Sequence, residues 1–248
     1  MKTVRAAAHV HSEWSDDATW KLADIAAGFA ERGYDVVLLA DHCREFVASR
    51  WAEYRAACAE ASTGAILLVP GIEYNDLDNT VHVPVWGDVP FYGQQVPDIG
   101  ALLAGVTADG GTSVLAHPWR RDAWRRYKPA WSAHLAAVEV WNRKYDGIAP
   151  NRHAADLARR EGLPQFAAVD FHTSRQFFPL AMRLRLASDT VDLPAVHGAL
   201  REGAFEAAFR ERPIASMLRG PALHAAVAAE TARRAVRPAV NRLRRLRG

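Results

Sequence analysis

A short apolar run near the start of the chain ends in His9-Val10-His11, and Asp16 follows five residues after the second histidine. On an extended strand, residues i and i+2 share a face, so both imidazoles can reach one cation. His-x-His pairs are common on protein surfaces, and this one gains weight only from repetition of its context. Val36 to Ala40 runs into Asp41-His42, and Ile66 to Val69 leads through Pro70 and Gly71 to Glu73. His82 is embedded in a strand-like segment, Ser113 to Ala116 ends at His117-Pro118, and Phe166 to Val169 runs into Asp170-Phe171-His172. Each of these side chains is a hard or borderline ligand for a divalent cation.

Any one of His42, His82 and His117 is compatible with a hydrogen-bonded core histidine. A buried cluster of all of them with carboxylates accumulates desolvation costs that cations would relieve. His134, His153, His197 and His224 have no carboxylate company and read as solvated or structural. Cys43 and Cys58 are too few for a disulfide framework, and Cys43 reads as a small buried residue at a strand end.

Positioning these groups falls to alternating strands and helices. Helices are expected from Thr19, as N-cap, to Arg32, over 46–61, 98–108 and 151–161, and from Leu193 to Glu202. Strands are expected over 36–40, 66–69, 81–86, 113–116, 136–141, 164–169 and 182–187, besides the first. About seven strands, most followed by helices, fit a β/α barrel better than an open dinucleotide-binding sheet, because no glycine-rich turn follows the first strand. In barrels the chemistry sits at the C-terminal strand ends, where these candidates fall.

The chain has 248 residues and a net charge of +3, with no low-complexity linker, which predicts one large domain over 1–220. The start is too short in apolar residues for a signal-peptide core, and no stretch is long enough to span a bilayer, so a cytoplasmic protein is expected. Residues 221–248 read as a basic, Ala- and Arg-rich helical extension, with seven arginines and no acid between Arg233 and Gly248. Val236, Val240, Leu243 and Leu246 would give it an apolar face for packing on the barrel or a second subunit; contact with nucleic acid or an anionic membrane is the alternative.

In order, the motifs are His9-x-His11-x4-Asp16, Asp41-His42, Gly71-Ile72-Glu73, His82, His117-Pro118 and Asp170-x-His172. This set resembles the PHP family, named for polymerase and histidinol phosphatase domains, over about residues 4–205. The resemblance implies a distorted (β/α)7 TIM-like barrel, two or three divalent ions (zinc, manganese or iron) and hydrolysis of phosphate esters. Carried over by position, His9, His11, Glu73 and Asp170 would hold one ion. Glu73 would bridge to a second held by His82 and His117, and Asp16, His42 and His172 would hold a third. Asp41 reads as a supporting partner or helix cap rather than a ligand.

The expected chemistry is hydrolysis of a phosphate monoester, such as a nucleotide or sugar phosphate, by a hydroxide bridging two ions. Glu73, Asp170 and His172 would then be catalytic. Arg120 and Arg143 rank first among cations after strand ends that could grip phosphate oxygens, ahead of Arg121, Lys144 and Arg175. Trp14, Tyr74, Trp86, Trp119 and Trp141 lie near the same loops, which leans toward a nucleotide through base stacking. Three rivals remain: a phosphodiesterase or exoribonuclease on nucleic acid ends, an amidohydrolase, and a non-catalytic PHP module that scaffolds a partner. Amidohydrolases also begin with His-x-His but typically end in a lone Asp, and a degenerate module would have lost ligands.

Overall fold

The computed structural model describes the backbone of residues 1–245 and the side chains of residues 1–238. Strand β1 (Lys2–Val10) is buried along Ala6, Ala7, Ala8 and Val10, as a central strand covered on both faces requires. Helix α1 (Leu22–Ala30) begins later than Thr19 predicts. Trp20 packs edge-on against Phe171 and Phe177, and the Glu13 N–H donates to the Trp20 carbonyl, which holds the approach to Leu22 out of the helix.

Strands β2 (Val36–Leu39) and β3 (Asp41–His42) are separated only by Ala40; after helix α2 (Ala48–Ala61), strands β4 (Leu67–Val69) and β5 (Gly71–Asn75) are separated only by Pro70. Proline has no N–H for a ladder, and pairing changes partner there: β4 pairs with β2, and β5 with β3. At Gly71 an added Cβ would collide with the Leu39 carbonyl and the Trp86 indole, whose Nε1 donates to that same carbonyl at 2.6 Å. This close approach sets Glu73 in register beside His42.

Strand β6 (His82–Trp86) runs antiparallel to both β5 and β7 (Thr112–Leu115). Between them lies helix α3 (Ile99–Ala108), capped by the Asp98 carboxylate. Strand β8 (Ala137–Asn142), the single turn α4 (Arg143–Asp146), helix α5 (Arg152–Arg160) and strand β9 (Gln165–Ala168) restore the parallel alternation. Strand β10 (Leu180–Leu186) returns antiparallel to β1, with Arg183 and Arg185 on its wetter face. Helix α6 (Leu193–Arg201), strands β11 (Phe205–Phe209) and β12 (Arg212–Pro213) and the long helix α7 (Gly220–Arg245) complete the chain.

The architecture is mixed α/β, in two six-stranded sheets ordered β12-β11-β10-β1-β2-β4 and β3-β5-β6-β7-β8-β9. It differs from a regular ring of β/α units: β6 enters antiparallel, and β10 to β12 form an antiparallel flank on β1. Beyond β9, the Val169 N–H donates to Ala8 O at 3.0 Å, the Phe171 N–H to His9 O at 3.0 Å and the His11 N–H to Phe171 O at 2.9 Å. These bonds bring the end of the second sheet against β1.

Pro238 lies inside α7. Val236 is 55% exposed, so it does not pack on the described molecule, while the side chains of Val240, Leu243 and Leu246 lie outside the described residues. Among the described residues no helix is long and apolar enough to cross a membrane.

Candidate metal centre

Five imidazoles surround one carboxylate. His9, His42, His82 and His117 each bring a ring nitrogen within 3.3 Å of a Glu73 oxygen, and Nε2 of His11 lies at 3.6 Å. Asp170 lies 3.8 Å from both His11 Nε2 and His117 Nε2 and 3.4 Å from His172 Nδ1. Glu73 and Asp170 are almost wholly buried, as are His9 and His11.

The strands do not deliver these groups by regular pleating. His9, His117 and Asp170 have left-handed backbones, with φ of 61°, 26° and 47°. The β1–β2 register slips between Ala8 and Val10, so His9 is the extra residue of a bulge and does not sit one pleat from His11. Left-handed backbone at a residue other than glycine costs of order 1–3 kcal/mol and persists where surrounding contacts over-determine it. Here the bonds of Phe171 across to His9 and His11 do so.

The rings are also held from behind. Glu139, absent from the sequence-derived set, is fully buried and takes His9 Nδ1 at 2.7 Å, the His117 N–H at 2.9 Å and Asn142 Nδ2 at 2.9 Å. A lone glutamate in the apolar run Ala137-Val138-Glu139-Val140-Trp141 was the available signal. Ser15 spends its single proton on Asp41, at 2.8 Å, so toward His11 Nδ1, at 3.1 Å, and the His42 N–H, at 3.0 Å, its oxygen can only accept. That fixes the proton of His11 on Nδ1 and turns its Nε2 lone pair inward. Asp41 itself accepts from the Ser12 N–H and hydroxyl, Ser15 and Tyr54 and caps no helix.

Two expected positions are corrected. Asp16 turns outward to Arg44, at 2.9 Å, whereas Asp17 Oδ2 lies 3.0 Å from His172 Nε2 and 3.5 Å from His42 Nε2. Arg143 faces away from the cluster, over the Phe178 ring at 4.7 Å, and its neighbour Lys144 enters instead. Lys144 Nζ lies 2.9 Å from His172 Nε2 and 3.4 Å from Asp170. The cause is rotation about one turn: the Asn142 side chain caps α4 through the Lys144 and Tyr145 N–H groups and orients successive residues about 100° apart. Arg120 does reach the cluster, with Nη1 at 2.7 Å from Asn79 O and 3.0 Å from His82 Nε2.

The groups that could share one ion are His11, Asp17, His42 and His172; His9, His11 and Asp170; His9, Glu73 and His117; and His42, Glu73 and His82. His82 therefore groups with His42 rather than with His117. Burial disfavours charge on His42, yet the adjoining carboxylates of Asp17 and Glu73 lift its pKa to about 9; burial lowers that of His82 to about 4. His9 is raised against burial by Glu73, Glu139 and Asp170, while burial and the neighbouring His172 and His42 lower His11. Glu73, Asp170 and Asp17 lie below the usual carboxylate range despite burial, because imidazoles, and Lys144 at Asp170, favour their charge.

The donor set fits divalent cations. His9 Nε2, His11 Nε2, His42 Nδ1 and His117 Nδ1 are buried without a hydrogen-bond partner, and the first three face carboxylates. Imidazole and carboxylate without thiolate suit zinc, manganese or iron. Above the cluster is a space of about 80 Å³ walled in part by Arg44, Asn79, Arg120, Lys144 and Tyr145.

The aromatic residues do not form a stacking platform there. Trp14 packs on Phe46 and Tyr54, Trp86 on Phe166 and Trp141 on Phe209, and Tyr74 is buried against Phe91 and Tyr92. Trp119 is stacked between Trp124 and His153.

No family model matches the chain, and no curated protein matches it in sequence. Solved structures do. A two-domain protein from Bacteroides vulgatus containing a predicted PHP-like metal-dependent phosphoesterase is 17% identical with a TM-score of 0.62, over 84% of this chain and 65% of that one. PsfC from Pseudomonas syringae is 16% identical, TM-score 0.62, over 88% and 95% of the two chains. Endonuclease Q, in complex with a 27-mer duplex substrate with an abasic lesion at the active site, is 13% identical, TM-score 0.58, over 81% of this chain and 57% of that one. This chain thus spans under two thirds of the first and third of these. Its fold is that of the PHP-like metal-dependent phosphoesterases.

Proposed function

We propose that this protein is a metal-dependent phosphoesterase that hydrolyses a terminal phosphate monoester. The observation that carries the reading is the convergence of five imidazoles on Glu73, with ring nitrogens turned inward by Glu139 and Ser15. In this reading the two sheets, joined across Ala40, Pro70 and Phe171, form a distorted seven-position barrel with the centre at its C-terminal rim. His9, His11, Asp17, His42, Glu73, His82, His117, Asp170 and His172 would hold two or three divalent ions. Such ions supply Lewis acidity and a nucleophile near neutral pH.

The chain's own groups bind and orient the ester. Lys144 and Arg120 flank the space over the cluster, placed to neutralise phosphate oxygens as charge develops on them. Asn142 donates to both Glu139 and Asp170, at 2.9 and 3.0 Å, coupling the support beneath His9 to the carboxylate beside Lys144. A space of about 80 Å³ admits a terminal phosphate better than a polymer backbone passing through, which favours a monoester over an internal diester. The likeness to Endonuclease Q, whose structure holds a duplex substrate, supports a nucleic-acid phosphodiester as the second reading.

Metal analysis of purified protein with turnover of p-nitrophenyl phosphate and bis-p-nitrophenyl phosphate, before and after chelation, tests the proposal. Two or more ions per chain and chelator-sensitive cleavage of the monoester are expected. Fewer than two ions in reconstituted protein, with neither ester cleaved, would overturn it.

A further inference from the structure

Beside the small space over the cluster lies a cavity of about 570 Å³, lined by Trp119, Arg120, Arg121, Tyr145, Asn151 and Arg234. The two share Arg120 and Tyr145, so they lie side by side at the mouth of the cluster. The size is ordinary for a small-ligand site. Its charge is not: three arginines face one acid, Asp146, whose carboxylate is already taken by the Asn142 N–H at 2.8 Å and Asn151 Nδ2 at 2.9 Å.

Two features give this wall a built character. Arg121 and Asp122 both have left-handed backbones, φ 48° and 58°, uncommon for residues other than glycine, and this turn sets Arg121 beside Arg120 at the Asn79 carbonyl. Arg234 comes from α7, outside both sheets. It is anchored by Nε on Glu230, at 2.5 Å, and Nη2 on the Tyr145 carbonyl, at 2.9 Å. A guanidinium has five N–H donors, so these two bonds leave others for an anion. Glu230 is itself buried, accepts the Ile148 N–H at 3.1 Å and lies against Gly147, where any Cβ would collide with its carboxylate. The helix is therefore docked at a backbone position that only glycine permits. Trp119 is itself stacked with Trp124 and His153, so charge is what chiefly sets this cavity apart.

We propose that this cavity is a second anion subsite, holding a phosphate group of the substrate remote from the ester that is cleaved, and that α7 completes it through Arg234. The role of the remote phosphate rests on the phosphoesterase reading; anion binding itself does not. Titration calorimetry of inorganic phosphate into chelator-treated full-length protein tests the binding alone. Arg234→Ala and Arg121→Ala should each weaken phosphate binding by about tenfold, as expected for loss of a charge-assisted contact. Affinities equal to the unsubstituted protein in both variants would overturn the proposal. So would loss with Arg234→Ala alone, because Arg121 lies outside α7 and that pattern would report undocking of the helix. In the metal-loaded protein, the KM for 1,4-butanediol bisphosphate, or for a dinucleotide with a terminal phosphate, should rise by about tenfold more than the KM for butyl phosphate in Arg234→Ala. An equal rise for all three would overturn it, and the two doubly phosphorylated probes separate a small bisphosphate from a nucleic-acid end. If no ester is cleaved but phosphate binding depends on both arginines, the subsite stands and the phosphoesterase reading falls.

Discussion

Glu139 Oε1 lies 2.7 Å from His9 Nδ1 with both side chains fully buried, so the other nitrogen of His9 is aimed at Glu73. The carboxylate sets ring orientation and basicity for a bond made on the far side of the imidazole. Glu139→Gln keeps the shape and loses the charge; metal affinity, measured by chelator competition, should fall about 10- to 100-fold. Unchanged affinity would remove Glu139 from this role.

Asp17 and Asp16 should separate cleanly. Asp17→Ala removes a carboxylate facing His42 and His172 and should lower the metal content by one ion per chain. Asp16→Ala breaks only an exposed pair with Arg44, worth under about 1 kcal/mol, and should retain full metal content. The reverse result would restore Asp16 as the ligand.

Lys144→Ala should reduce kcat/KM for a monoester on the order of 100-fold, the scale of one lost electrostatic donor at a transferring group. Arg143→Ala should instead cost about 1 kcal/mol of stability through the lost contact with Phe178, with little change in kcat/KM. Matching kinetic losses in the two variants would contradict the orientation of α4.

The docking of α7 carries an acid dependence. Burial raises the pKa of Glu230, but bonds from Arg233, Arg234 and the Ile148 N–H outweigh that and bring it down to about 2. A carboxyl depressed in the folded state contributes stability above its unfolded pKa of about 4.3, and that contribution is lost as pH falls toward 2. Urea unfolding of Glu230→Gln should be less sensitive to pH over this window than the unsubstituted protein. Identical slopes would show that Glu230 does not hold the helix.

Metal binding should oppose protonation at the same rings. His42 holds a proton up to about pH 9 through Asp17 and Glu73, so a cation must displace it, and apparent affinity should fall as pH drops from about 9. Affinity flat between pH 9 and 6, read by competition with a chelator of known pH dependence, would exclude His42 as a ligand.

The apolar runs that end in His9-Val10-His11, Asp41-His42, Glu73, His82, His117 and Asp170-Phe171-His172 were legible in the sequence by themselves. A buried strand is a local hydrophobic signal, and its end marks where polar side chains gather. What neighbours in the chain could not specify was choice within a pair: Asp17 over Asp16, and Lys144 over Arg143. Those choices depend on dihedral angles fixed by residues far away, Arg44 and His172 for the first and Phe178 for the second. The bulge at His9, the antiparallel entry of β6 and the support from Glu139 likewise arise only when distant strands pair. Local sequence determined which groups could meet, and tertiary contacts decided which way each one faces, because the contacts outweigh the small local preference between adjacent residues.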